Sequence, residues 1–424
     1  MQQIIRRVCV FALLAGGCAC SAKAQKALTW DEVRGRFEAN NPTLLADKVS
    51  IDESKAQQIT AYLRPNPQLT LAVDGTQIAP YSGKWDAFRG TYETPTISYL
   101  HERQHKRELR LESAQKGTLI AESSHADLER TLLFDLRGAF VATLQAKAVL
   151  QLAKDNLVYY DHLLDISQTR YSVGDIAQID LDRLELQRVQ YESDVQTAEV
   201  NLRTAKIQLL TLLNDRIPVE QFDVSGLFDF SDQLMSQDEF RKIALDTRPD
   251  LKAAVEAVDK ADTDHKLAIA NGSTDPILSA WYTHNSSNNN PFGINTFGLS
   301  VSIPLRIFDR NQGEKLRTQL DIDRTEKLRS AEEALVFSDV DSAYAVVNSN
   351  VILLQPYKTK YLQQAVRVRD TVAFSYQHGG ASLVDFLNAQ SEYRTVELSY
   401  LNLIGSYLTA AAQLNLAVGR EVLQ

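Results

Sequence analysis

Two periodicities alternate along this chain. From Ala177 to Leu212, apolar residues (Leu181, Leu184, Tyr191, Val195 and Ala198 among them) recur in alternating steps of four and three, and Arg188 is the seam's only polar member. The same register, displaced by 205 residues, runs from Ser382 through Phe386, Ala389, Tyr393, Val396 and Tyr400 to Ala417. A seven-residue repeat keeps one stripe turned toward a partner helix. The first copy carries a weaker second stripe, Ile179, Leu186, Val189, Val200, Ile207 and Leu210, so it predicts a helix with a neighbour on each side. Elsewhere the period drops to two. Phe297, Leu299, Val301 and Ile303 alternate with Gly298, Ser300 and Ser302, and Leu69, Leu71 and Val73 with Thr70 and Ala72. These are strand patterns. Thr94–Leu100 and Ile277–Thr283 complete two predicted hairpins, with Pro95 weakening its strand.

The 205-residue displacement extends beyond the seam. Arg170-Tyr171-Ser172-Val173-Gly174, then Asp180, recurs as Ser375-Tyr376-Gln377-His378-Gly379, then Asp385; Asn41-Pro42-Thr43-Leu44 recurs as Arg248-Pro249-Asp250-Leu251. The chain therefore reads as a duplication. Repeat 1 occupies 25–217, with strands at about 67–100 and long helices at about 106–213; a linker follows at 218–247. Repeat 2 occupies 248–419, with strands at about 276–305 and helices at about 313–418 interrupted at Pro356; 420–424 is a tail. Lys106 to Thr169 holds no proline, and about sixty helical residues reach ~90–100 Å. The fold class is mainly α with a small β part, a strand hairpin plus a long helical hairpin present twice.

The cysteines change the picture next. Cys9, Cys18 and Cys20 are the only three, which leaves the rest of the chain without a disulfide or thiolate site. Arg6 and Arg7, the apolar run Val8–Leu14 and Ala22-Lys23-Ala24 read as a signal peptide over 1–24, cleaved after Ala24; lipidation at Cys18 is the rival processing. Either one predicts export. Losing Arg6, Arg7 and Lys23 moves the net charge from −9 to −12, which excludes a nucleic-acid binder built on a basic stripe. No later stretch is apolar enough to cross a bilayer as a helix, leaving a soluble exported protein or one that spans an outer membrane by strands. Four strands cannot close a barrel, and open edges are not tolerated in lipid, so spanning requires oligomerisation.

Catalytic chemistry is not expected. His101-Glu102-Arg103-Gln104-His105 satisfies H-E-x-x-H, but it falls at a predicted strand-to-helix junction and lacks a third ligand. A metalloprotease is the weaker alternative, and no catalytic, metal or cofactor residue is assigned. A periplasmic adaptor with one long hairpin is the other alternative, disfavoured by two complete repeats.

With the N-P-x-L start, the paired Tyr-x-x-Gly turns and the run Ile303-Pro304-Leu305-Arg306-Ile307-Phe308-Asp309, the chain resembles the TolC-like outer-membrane efflux proteins. His101–Arg110 resembles the strand-to-helix segment of their heavy-metal (CzcC-like) branch. The resemblance implies a homotrimer in outer-membrane lipid. Its twelve strands would form one transmembrane β-barrel and its helices a periplasmic α-barrel. This would be a passive exit duct of a tripartite efflux pump, with a periplasmic adaptor and an inner-membrane pump of the resistance-nodulation-division type. It places the turn motifs Tyr171/Gly174 and Tyr376/Gly379 at the periplasmic tip, with Asp175, Asp180, Asp182 and Asp385 as candidate pore acids. Ala381 stands where the family's latch arginine would be and Asn388 where a second acid would be, so Arg170 or Arg183 would have to substitute.

Overall fold

A computed structural model describes residues 27–80, 82–88, 90–285 and 294–423. The leader expected over 1–24, with its two processing sites, and most of the loop after Asn285 lie outside the described residues.

The order of elements repeats. Helices α1 (Trp30–Asn40) and α2 (Pro42–Tyr62) lead into β1 (Gln68–Asp74) and β2 (Tyr92–Leu100), then α3 (Lys106–Ser172) and α4 (Gln178–Leu212). The second pass runs α5 (Gln237–Thr247), α6 (Pro249–Asn271), β3 (Ile277–Asn285), β4 (Asn295–Ser302), α7 (Gln312–Pro356), α8 (Leu362–Gln377) and α9 (Leu383–Val418). Helix α3 has 67 residues, ~100 Å at 1.5 Å each. The break expected at Pro356 is only a widening. Proline removes one N–H from the ladder, and the chain makes a single π turn over Tyr357–Tyr361 before α8 resumes.

The chain divides into two compact units, residues 27–41, 135–232 and 349–409, and residues 42–134, 233–348 and 410–423; each draws on both copies. In the first unit the predicted seam is the core. Leu181, Leu184, Tyr191, Val195, Ala198 and Leu209 are buried, while Ile179, Leu186, Val189, Val200 and Ile207 of the second stripe stay exposed. Leu210 alone of that stripe is buried.

The four strands form one antiparallel meander, β1-β2-β3-β4, leaving β1 and β4 as edges. Pro95 sits inside the central strand β2 after all. It pairs with Leu71, but the β2–β3 ladder skips Thr94 and Pro95, and the Thr94 and Thr283 hydroxyls bridge the gap at 3.1 Å. A missing N–H is tolerated where a side-chain pair replaces the lost rung.

The N-P and R-P motifs explain how each hairpin is rooted. Pro42 and Pro249 open α2 and α6, where the absent N–H costs nothing. The residue before each proline caps the C-terminal end of a returning helix. Asn41 Nδ2 donates to Leu212 O at 3.2 Å, and Arg248 Nη1 donates to Ala417 O at 3.3 Å, a partner displaced by the same 205 residues. Both helices then leave through a left-handed residue, Asn214 (φ +51°) and Gly419 (φ +87°). In the second root Arg130 Nη1 also reaches Leu416 O at 2.6 Å, and Thr247 Oγ1 reaches Val418 O at 2.6 Å. The two arginines lie against the partial negative charge of a helix C-terminus.

Candidate functional site

Two regions have the geometry of function, the sheet and the paired helix turns. Following the registers across the sheet sorts its side chains. Leu69 faces Ile97, Ile97 faces Ala280 and Ala280 faces Leu299; Leu278 lies between Tyr99 and Val301, and Tyr282 faces Phe297. The same parity adds Leu71 and Val73. The opposite face carries hydroxyls, Thr70, Thr96, Ser98, Ser279, Thr296 and Ser300, with Trp281 the one large ring in its middle. A half-solvated sheet of a soluble protein buries its apolar side. Here that side is open, with Leu71 74% and Leu299 72% exposed. Apolar residues facing outward and hydroxyls facing the other way suit a wall between lipid and water.

The turns of the two helical hairpins share one backbone design. Gly174 N–H donates to Tyr171 O at 2.9 Å and Asp175 N–H to Arg170 O at 2.9 Å; Gly379 to Tyr376 at 3.1 Å and Gly380 to Ser375 at 2.8 Å are their equivalents. This six-to-one closure needs a left-handed residue after the helix, supplied by Gly174 (φ +81°) and Gly379 (φ +75°). That is the physical content of Tyr-x-x-Gly.

The side chains differ. Tyr171 is exposed, whereas Tyr376 is buried and stacks on Phe386 at 5.1 Å. Burial raises the Tyr376 phenol, and its hydroxyl has no hydrogen-bond partner among the described residues. Beneath it Tyr160 stacks on Tyr191 at 4.5 Å and donates to Leu184 O at 3.0 Å.

The four candidate acids fall in different settings. Asp175 is exposed and takes Arg170 Nε at 2.6 Å; the same guanidinium donates to Tyr376 O at 3.1 Å, so one arginine ties the two turns together. Arg183, the other candidate substitute, is exposed. Asp180 and Asp182 are half-buried, and Asp182 accepts from Gln178 Nε2 at 2.7 Å. Asp385 is exposed and caps its own helix. Its Oδ2 accepts Ser382 Oγ at 2.7 Å and Ser382 N at 3.2 Å, while Ser382 Oγ accepts Asp385 N–H at 3.1 Å. The hydrogen bonds from Ser382 hold the Asp385 carboxyl below its ordinary value. The first copy has Ala177 at the equivalent cap position, with no side-chain bond. The Ser-x-x-Asp spacing was visible in the sequence as a signal for this cap.

The H-E-x-x-H segment is not a helix. Gln104 and His105 have φ of +58° and +55°, which breaks the i, i+4 alignment two zinc ligands need. Glu102 is held by Arg110 at 2.5 and 2.9 Å, and no cluster of three or more metal-ligating side chains occurs among the described residues.

The outer membrane efflux protein model matches residues 33–215 and 241–420. The chain belongs to that family. This makes it an outer-membrane efflux channel with a periplasmic portion, and sets aside both the adaptor and the protease alternatives. Among relatives, the cobalt-zinc-cadmium resistance protein CzcC of Cupriavidus metallidurans is 20% identical over 394 residues, covering 93% of this chain and 90% of that protein. The outer membrane protein TolC of Escherichia coli is 23% identical over 377 residues, covering 83% and 74%. In fold, the chain is similar to a crystal structure of CusC, with a TM-score of 0.76, 18% identity and 92% of each chain covered.

Proposed function

We propose that three copies of this chain assemble into one duct that passively conducts substrate from the periplasm to the exterior, as the outer component of a tripartite efflux pump. The observation that carries the reading is the sheet, an exposed apolar face bounded by two unpaired edges. Unpaired edges are excluded from lipid, and edge-to-edge closure with sister copies removes them. Twelve strands then make the barrel. The exposed second stripe of α4 supports the same assembly, since it offers an apolar seam to a helix of another copy.

The turn motifs Tyr171/Gly174 and Tyr376/Gly379 form the periplasmic tip, where an adaptor and an inner-membrane pump dock. Arg170 serves as the local tie that Ala381 cannot provide. Of the four acids, Asp385 keeps its charge into the acid range and Asp175 is neutralised by Arg170, so a trimer presents rings of Asp385 and Asp180 that attract cations, with Asp182 a weaker contributor. Heavy-metal cations are the cargo class favoured by the likeness to the cobalt-zinc-cadmium resistance protein.

Purified from detergent, the mature protein is expected to be a trimer that conducts in planar bilayers; a stable monomer without conductance overturns the duct. Asp180→Ala combined with Asp385→Ala is expected to weaken cation selectivity, and unchanged selectivity rejects the acidic rings.

A further inference from the structure

Topology brings four segments to the helix-side end of the sheet. They are the chain before β1 (residues 63–67), after β2 (101–105), before β3 (272–276) and after β4 (303–311). The last ladder pair here is Ile277↔Ser302, yet the apolar alternation of β4 runs on through Ile303, Leu305 and Ile307 and ends on Phe308. None of these four is covered, with Leu305 80% and Phe308 89% exposed, and Leu63, before the opposite edge strand β1, is exposed too. An eight-residue strand such as β4, tilted by ~40°, spans about 20 Å, short of the ~25 Å apolar band of a membrane barrel. Ile303 to Phe308 add apolar side chains beyond the last rung, along a chain that turns where Ile307 N–H donates to Leu305 O at 3.0 Å.

The same end holds cations without partners. Arg64, Arg103 and Arg310 are exposed and form no ion pair among the described residues, in a chain whose net charge is negative. The neighbouring acids are engaged. Asp275 holds Lys106 at 2.6 Å, Glu102 holds Arg110, Glu108 holds Arg107, Glu314 holds Arg317, and Asp309 accepts the Asn311 N–H of its own turn at 2.8 Å. At the opposite end of the sheet the described charged residues are mostly acids, Asp74, Asp86 and Glu93 against Lys84.

The geometry points to this collar as a binding surface for anionic phospholipid in the membrane leaflet on the helix side. Ile303, Leu305, Ile307 and Phe308 lie along the acyl boundary, and Arg64, Arg103 and Arg310 meet the headgroup phosphates. The surface is continuous with the apolar sheet face, and an interfacial arginine is attracted by an anionic leaflet. The inference rests on the membrane-spanning reading of the sheet.

The test uses the mature assembly in detergent, titrated with phosphatidylglycerol or phosphatidylcholine and followed by native mass spectrometry. Phosphatidylglycerol is expected to be retained preferentially. Each of Arg64→Gln, Arg103→Gln and Arg310→Gln is expected to weaken that preference roughly fivefold, and the triple variant on the order of a hundredfold. The matching Arg→Lys variants keep the preference, and Phe308→Ser weakens both lipids alike. Equal retention of the two lipids overturns the proposal, as does an unchanged triple variant. Displacement of phosphatidylglycerol by millimolar inorganic phosphate would mark a soluble-anion site instead, and dissociation of the triple variant into monomers would mark a contact between copies. Conductance of the wild-type protein is measured in parallel. Its absence counts against the duct itself, whereas conductance without lipid preference counts against the collar alone.

Discussion

In the first hairpin the arginine sits at the turn and an amide at the root; in the second the arginine sits at the root and a serine closes the turn. Arg170 ties its turn to Asp175 and Tyr376, while the root beneath it is capped by neutral Asn41. Arg248 caps the second root from a buried position, with Asp250 at 2.5 Å and Asp339 at 2.8 Å, and the second turn relies on Ser382 and Asp385. What recurs in both copies is the left-handed glycine, the six-to-one closure and a side-chain donor on a carbonyl at the helix end. Helix ends oblige the chain to satisfy those groups, but leave open which donor does it. A duplicated scaffold can therefore move its charge from one end to the other without altering its path.

The sharpest way to break this comparison is at the roots. Arg248→Ala leaves Asp339 without its cation and Asp250 with Arg130 alone, and is expected to cost ~3–5 kcal/mol, against ~1 kcal/mol for Asn41→Ala. Equal losses in thermal unfolding would show that the two caps are equivalent. Next come the tyrosines. Tyr376→Ala empties a stacked core site for about 3 kcal/mol, whereas Tyr171→Ala is expected to stay within about 0.5 kcal/mol.

Acid separates the roots further. Burial works against the Asp250 charge, but hydrogen bonds from Arg248 and the nearby Arg130 outweigh it and hold the carboxyl at about 2, below its ordinary 3.8. A depressed carboxyl stabilises the fold above its unfolded pKa and loses that contribution as pH falls. The Asp250 contribution, on the order of 2 kcal/mol, should thus fade between pH ~4 and ~2. Arg248→Ala should flatten this acid limb and Asn41→Ala should leave it intact, as urea unfolding against pH would show. A small effect belongs also to the Arg170–Asp175 pair at the first turn, where Arg170→Ala is expected to cost under ~1 kcal/mol of stability and to show mainly in conductance.

Much of this architecture was legible beforehand because long periodic patterns average over many residues. The α4 seam predicted which side chains are buried, and Tyr-x-x-Gly located both turns to the residue. Short-range competition was harder to read. Pro95 argued against a central strand, and only the Thr94–Thr283 bridge across the sheet shows how the strand accommodates it. Asp180 and Asp385 look alike in sequence, and one serine three residues upstream sends Asp385 into a cap while Asp180 has none. The helices α1, α2, α5 and α6 left too short a pattern to be separated from the segments around them.

Hydrophobic period and its repetition at 205 residues determined the helical hairpins, the strand hairpins and the duplication, because burying a seam or one sheet face imposes its period directly on the chain. Tertiary structure alone decided which ladders form and so which face is apolar, that Arg248 and Asn41 cap helices ending about 170 residues away, and which arginines remain unpaired at the sheet's end. Those outcomes depend on partners distant in sequence, and a local pattern carries no record of which distant group arrives to meet it.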